Sequence, residues 1–199
     1  MSDSNADCAD GRDICAFVAT LAKEGERVAV IISAARIDFT LETILKRLLN
    51  PSSGTSDPLF DSDRPLGTFS AKILLSFRLG VIDSELERAI TVIRKIRNDF
   101  SHSMRPEHLA DSPHRERVTE LIKELQGSEF YDTLLNSYSA QISPPPFCKF
   151  CTAVAVVLSS LRVLEKALSD GHNTRSILLL QPRGLIKELG NAKQTETVP

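Results

Sequence analysis

The spacing of apolar residues in this chain is helical almost everywhere, and no convincing segment shows the period of two that a half-buried strand requires. The clearest helical pattern lies over residues 84–100. At 100° per residue its apolar side chains form one narrow stripe, which consists of Leu86, Ala89, Ile90, Ile93, Ile96 and Phe100. Such segments bury their apolar surface by packing helix on helix. The pattern therefore predicts an all-α fold.

Six or seven helices are expected, separated by residues that end a helix or cannot continue one, such as Asn50-Pro51 and Gly80. The predicted helices cover residues 13–23, 26–49, 68–79, 84–100, 113–126, 129–139 and 147–169. The helix over 26–49 is apolar nearly all round in its first half, so we expect it to be the central helix. We expect one domain over residues 13–180, a flexible N-terminus over 1–12 and a mostly disordered tail over 181–199.

Local signals refine these boundaries. Asp83 or Ser84 caps the fourth helix, and Ser84-x-x-Glu87 fits a capping box. Pro65-Leu66-Gly67 fixes the start of the third helix, because proline restricts the chain and glycine allows close packing. The prolines at 144–146 predict a stiff spacer that no helix crosses. The loop over 50–66 either binds something or packs as a compact excursion.

Composition narrows the class of protein. The formal net charge is −2, which argues against strong nonspecific binding of nucleic acid by the whole chain. The acidic start of the chain is the reverse of a secretory signal, and the apolar run over 150–161 is well short of the roughly 20 residues of a membrane span. We therefore expect a cytoplasmic protein without a membrane segment.

The cysteines favour packing over metal binding. Cys148-Lys-Phe-Cys151 is a lone C-x-x-C with neither a second pair nor two histidines at matching spacing. We interpret both residues as buried small hydrophobes, and expect neither a metal nor a cofactor. No Gly-rich phosphate loop, G-x-S-x-G or H-E-x-x-H occurs either.

The end of the fourth helix carries Arg97 and His102. Arg97 lies about 50° from the centre of the buried stripe, where an unpaired charge is unfavourable. Its candidate partners are Asp38 and Glu42, an i,i+4 pair on the second helix. In this interpretation an ion pair between Arg97 and one of these carboxylates holds the fourth helix against the core. Asn98 and His102 then bind the last carbonyls of that helix.

The same helix has a basic stretch. Between residues 88 and 98 there are four cations and no acidic residue: Arg88, Arg94, Lys95 and Arg97. They are either a solvated face that complements the helix dipole or an anion contact surface.

Three segments in order resemble the mannitol operon repressor family. They are Pro65-Leu66-Gly67, then Leu79-Gly80-Val81-Ile82, then the run from Ile93 through Arg97-Asn98 to His102. The similarity spans about residues 26–105. It implies an all-helical transcriptional regulator, not an enzyme, that represses through a protein partner such as a component of sugar transport. No recognisable DNA-reading motif is present, and direct contact with DNA stays open.

A looser resemblance supplies an enzymatic alternative. Arg97-x4-His102 at a helix end is similar to the motif of the HEPN superfamily, which includes metal-independent ribonucleases. This resemblance implies a homodimer in which Arg97 holds the scissile phosphate and His102 moves a proton. Arginine can stabilise developing phosphoryl charge, and histidine suits general acid–base catalysis.

Overall fold

The computed structural model describes residues 13–169 apart from 53, 55, 124 and 126–128, and every long element in that part of the chain is a helix. The helices are α1 (residues 13–21), α2 (Glu26–Leu48), α3 (Phe69–Arg78), α4 (Ser84–His102), α5 (His114–Lys123), α6 (Glu129–Ser139) and α7 (Pro145–Ser169). The predicted single all-α domain is confirmed. The predictions for residues 1–12 and 170–199 lie outside the described residues.

Helix α7 is the most deeply buried element. It packs against α2, α5 and α6, and 16 of its 25 residues are buried. Among the described residues it is also the one helix long and apolar enough to cross a membrane, but 72% of that apolar window is buried inside the protein. The interpretation of residues 150–161 as part of a core helix is confirmed.

The start of α7 differs from the sequence-based prediction. The helix begins at Pro145, so two of the three prolines form its first turn. The amide nitrogens of a first turn have no partner within the helix, and proline is therefore tolerated there. The prediction of an extended spacer over the whole proline run was wrong.

Helix α2 touches α3, α4 and α7, yet only one side of it is buried. The prediction that it is the central helix was wrong, because α7 is the more deeply buried helix. The outer side of α2 exposes Val28, Ile32, Ala35 and Phe39. These residues are spaced i, i+4, i+7 and i+11, so they form one straight stripe along the helix. We call these four residues the α2 stripe.

The turn between α3 and α4 follows the sequence signals. Gly80 adopts a positive φ of 69°, and its amide and that of Val81 donate to the carbonyls of Phe77 and Ser76, both at 2.9 Å. This is the hydrogen-bond pattern of a Schellman motif. Asp83, rather than Ser84, caps α4, because its Oδ1 accepts from the amides of the second and third helical residues at 3.1 and 2.7 Å.

The loop before α3 packs as a compact excursion. Pro58–Phe60 forms one turn of 3-10 helix, and Phe60 and Leu66 bury themselves against Leu45 of α2. Gly67 lies so close to the backbone of this loop that a Cβ there would be 2.1 Å from the carbonyl oxygen of Asp61. The prediction that this glycine allows close packing is confirmed.

Candidate functional site

Arg97 is exposed on the surface of α4. Within the described part of the chain its side chain makes one hydrogen bond, from Nη1 to Oδ1 of Asn98 at 3.1 Å, and no ion pair. The prediction that Asp38 and Glu42 pair with Arg97 was wrong. Arg97 lies on the flank of the buried stripe, and none of the described helices covers that flank completely.

Lys72 of α3, and not Arg97, pairs with Asp38 and Glu42. Its side chain is only 5% exposed, and its Nζ lies 2.9 Å from Asp38 Oδ1 and 2.9 Å from Glu42 Oε2. A lysine is unremarkable on a sequence helical wheel, because only the packing of α3 on α2 shows that it is enclosed. Asp38 and Glu42 therefore pair with Lys72, a cation that the sequence did not single out.

The pKa values of this cluster follow from burial and pairing. Burial by itself would lower the pKa of Lys72, but the hydrogen bonds and charges of Glu42 and Asp38 outweigh it and raise the pKa above its usual value. Burial likewise acts to raise the pKa of Glu42, and the hydrogen bonds from Lys46 and Lys72 reverse that effect and lower it. Lys72 and Glu42 are therefore both ionised at neutral pH.

A groove of about 200 Å³ lies beside this cluster, between α2, the start of α3 and α4. Its apolar lining comes from Ala34, Ala35, Phe39 and Phe69. Its charged lining comes from Asp38, Glu42 and Arg97. Ala35 and Phe39 belong to the α2 stripe, so the groove joins that stripe to Arg97. Phe39 is 66% exposed.

Arg27, not Asn98 or His102, donates to backbone carbonyls in the last turn of α4 and in the residues that follow it. Its guanidinium donates to the carbonyl of Phe100, to that of Ser103 at 3.1 Å and to that of Arg105 at 2.7 Å. The prediction that Asn98 and His102 cap this end was wrong. Arg27 stands 70 residues and more before the carbonyls that it binds, so no local sequence signal reveals the contact.

His102 ends α4 and is exposed. Within the described residues it makes no hydrogen bond or ion pair, and Lys95 likewise makes none. Arg97 and His102 lie five positions apart on one helix, which separates their directions by about 140°. The two side chains of one protomer therefore diverge.

A buried histidine that the sequence did not single out lies beside the same helix end. His114 is 2% exposed, its ring contacts that of Phe100 with centroids 4.9 Å apart, and its Nε2 lies 2.9 Å from Glu107. Hydrogen bonds from Ser103 and His114 lower the pKa of Glu107. Asp99 pairs with Arg117 of α5. These contacts attach the segment between α4 and α5 to the end of α4.

The basic stretch of α4 does not form one face. Arg88 and Lys95 are exposed on one side of the helix. Arg94 is half-buried on the other side, and its enclosed Nε has no hydrogen-bond partner in the part of the chain that the structure describes. Arg88 also lines a depression that contains Glu85 and Glu120. Acidic neighbours reduce the local positive potential, so Arg88, Arg94 and Lys95 do not form the continuous cationic surface that an extended anion would need.

The remaining residues that carry the resemblance to the mannitol operon repressors have structural roles. Leu66 is buried, Gly67 packs against the preceding loop, and Gly80 ends α3. Pro65 is exposed at the start of this segment. Of the motif residues, only Arg97, Asn98 and His102 present polar groups near the groove or the end of α4.

The C-x-x-C pair lies in the core. Cys148 and Cys151 are buried on α7, and burial raises the pKa of both thiols, that of Cys151 to about 12. Thiols with raised pKa values are poor nucleophiles and poor metal ligands at neutral pH. Among the residues that the structure describes, no three or more histidine, cysteine or acidic side chains are arranged to hold a metal ion.

Comparisons with protein-family models, with curated protein sequences and with solved structures give no match to this chain.

Proposed function

We propose that this protein is a regulator that resembles the mannitol operon repressors and acts on transcription by binding another protein. The observation that carries the proposal is the α2 stripe, an exposed apolar surface of four aligned residues on an otherwise well-packed helix. Contiguous apolar side chains on a protein surface mark sites of contact with other proteins.

The charge distribution supports a partner protein over direct binding of DNA. The chain has a net charge of −2, and the cations of α4 are divided between two sides of the helix. Affinity for DNA depends mainly on clustered cations that neutralise phosphates. We expect the protein alone to have little affinity for duplex DNA at physiological salt.

The test compares transcription in the organism that carries the gene with transcription after its deletion. We expect increased transcripts from at least one operon in the deletion strain. Restoring the gene should repress that operon again, and restoring it with Phe39→Ser should not. An unchanged transcript profile in the deletion strain would contradict the proposal. So would tight, salt-resistant binding of the protein alone to the control region of that operon.

The second candidate is a HEPN-like, metal-independent ribonuclease. It is favoured by the exposure of Arg97 and His102, neither of which has a carboxylate partner among the described residues. Because the two side chains of one protomer diverge, such a site would need Arg97 from one protomer and His102 from another. Arginine would stabilise charge on the phosphate, and histidine would transfer the proton.

Incubation with single-stranded and structured RNA in EDTA tests this candidate. Cleavage that is lost in both Arg97→Ala and His102→Ala, and kept in Lys95→Ala, would establish the ribonuclease. Lys95 is a suitable control because it is an exposed cation on the same helix. Absence of cleavage by the folded protein would exclude this candidate for the RNAs used.

A further inference from the structure

We propose that the α2 stripe binds one amphipathic helix of a partner protein, and that an acidic residue on the flank of that helix pairs with Arg97. This inference rests on the proposed function, since it states the chemistry of the partner through which the regulator would act. It is carried by two features, the apolar α2 stripe and the cation Arg97, which lies in the groove that Ala35 and Phe39 of the stripe also line.

The α2 stripe fits a helix. The α2 stripe runs from Val28 to Phe39, which is about 17 Å at 1.5 Å per residue. That length matches three turns of a partner helix, whose apolar residues recur at the same i, i+4, i+7 and i+11 spacing. Phe39 provides the largest exposed area, and the small side chain of Ala35 allows close approach at the middle of the stripe.

The charges that line the groove favour an acidic residue on the flank of the partner helix. Asp38 and Glu42 are already compensated, because Lys72 lies between them and Lys46 lies 2.7 Å from Glu42. Arg97 is the lining cation with no carboxylate among the described residues. A carboxylate opposite Arg97 would complete its pairing, whereas a lysine there would add like charge.

The small size of the surface argues for a single helix over a second copy of this chain. A stable interface between two globular proteins uses about 20–30 residues on each side. The α2 stripe and its flank provide only the four apolar residues, Phe69 and Arg97. One side of a single helix needs no more than this.

Two designed peptides provide the probe. Both carry leucines at i, i+4, i+7 and i+11, a fluorescein label, and either glutamates or lysines along one flank. Fluorescence anisotropy with the full-length protein should show tighter binding of the glutamate peptide. This order is informative because the net charge of the protein, −2, would by itself favour the lysine peptide.

Matched variants identify the surface. Phe39→Ser should weaken the glutamate peptide at least about tenfold. Leu74→Ser is the control, since Leu74 is 60% exposed and does not line the groove.

Arg97→Glu should weaken binding of the glutamate peptide about threefold or more and strengthen binding of the lysine peptide. Lys95→Glu makes the same charge change on another side of α4 and should leave the preference intact.

Three results would overturn the inference: equal binding of the two peptides, binding that Phe39→Ser leaves intact, or the same response to Arg97→Glu and Lys95→Glu. A dimer in sedimentation velocity that Phe39→Ser converts to a monomer would also overturn it, because a second copy would then occupy the stripe. If neither peptide binds as expected while gene deletion still increases transcripts from an operon, the proposed regulatory function is kept and this mode of partner binding is excluded. If the deletion leaves all transcript levels unchanged, the proposed regulatory function itself is contradicted.

Discussion

Lys72 is the residue whose role depends most on its surroundings. It is an ordinary cation in the sequence and a nearly buried one in the structure, where it holds two carboxylates of α2 against α3. Burial of a charge is unfavourable unless it is paired. The cluster therefore makes the packing of α3 on α2 specific, and it also removes Asp38 and Glu42 as partners for Arg97.

Lys72→Met should lower the free energy of unfolding by about 2 kcal/mol. Loss of one partner of a buried ion pair costs more than this, but Asp38 and Glu42 are 31% and 23% exposed and water partly compensates them. Urea denaturation measures the effect. Lys46→Met is the control, since Lys46 pairs with the same Glu42 at the surface, and it should change stability by less than about 0.5 kcal/mol. Equal losses in the two variants would contradict this role.

The lowered pKa of Glu42 predicts a pH dependence. Because the folded-state pKa lies below the ordinary value of 4.5, ionised Glu42 stabilises the fold above that value, and the contribution is lost as pH falls through the folded-state pKa. Lys72 has a raised pKa, so its contribution is lost only at alkaline pH. The stability difference between the native protein and Glu42→Gln should therefore shrink as urea denaturation is moved from pH 7 to pH 3. If the stability difference between the two proteins stays constant or grows on acidification, the stabilising role of ionised Glu42 is contradicted.

Residue-scale predictions from the sequence succeeded where the deciding contact is local. The turn at Gly80 and the cap at Asp83 depend on neighbouring residues alone. The sequence identified Gly80 as a helix end and left the cap between Asp83 and Ser84. The partner of Asp38 and Glu42 depends on which helix packs over them. An ideal helical wheel gives the direction of Arg97 from its own helix and cannot show that this direction is open to solvent.

At the scale of elements, the connection into α3 depends on the close approach of Gly67 to the preceding loop. Its backbone lies where any side chain would collide with the carbonyl of Asp61. The collision involves backbone atoms, so a larger residue can fit only if the loop moves. The loop in turn buries Phe60 and Leu66 against α2.

Gly67→Ala should destabilise the protein by about 2 kcal/mol, through overpacking of a site that cannot relax by a side-chain rotation. Gly25→Ala provides the control, because a Cβ at Gly25 would meet nothing within 4 Å. We expect that change to stay within about 0.5 kcal/mol of the native stability. Urea denaturation of the two variants measures the contrast, and similar values for both would count against the packing described for Gly67.

Element boundaries were predictable within a few residues, with one instructive failure. Proline runs favour extended chain on average, yet a helix can begin inside one because its first amides need no partner. Arg27 shows the opposite limit. It lies on α2, 73 residues before Phe100, and the packing of α2 on α4 brings it to the end of α4.

For the whole molecule, seven described helices bury one core around α7 and leave an uncovered stripe on α2 that meets Arg97 at a groove. Apolar periodicity predicted the all-α class because helices with one apolar stripe bury it by packing against other helices. It could not predict which apolar residues stay outside, since Val28 and Ile32 look like core residues in the sequence. The exposed surface is a property of the assembled bundle.

Arg97 lies at the surface and not in the core, and we propose that it contacts a partner there. The free energy of unfolding of Arg97→Ala tests this most directly. We predict a value within about 0.5 kcal/mol of the native protein, as for an exposed side chain without an ion pair. A loss of about 3 kcal/mol or more would contradict this placement, because a loss of that size is expected when one partner of a buried ion pair is removed.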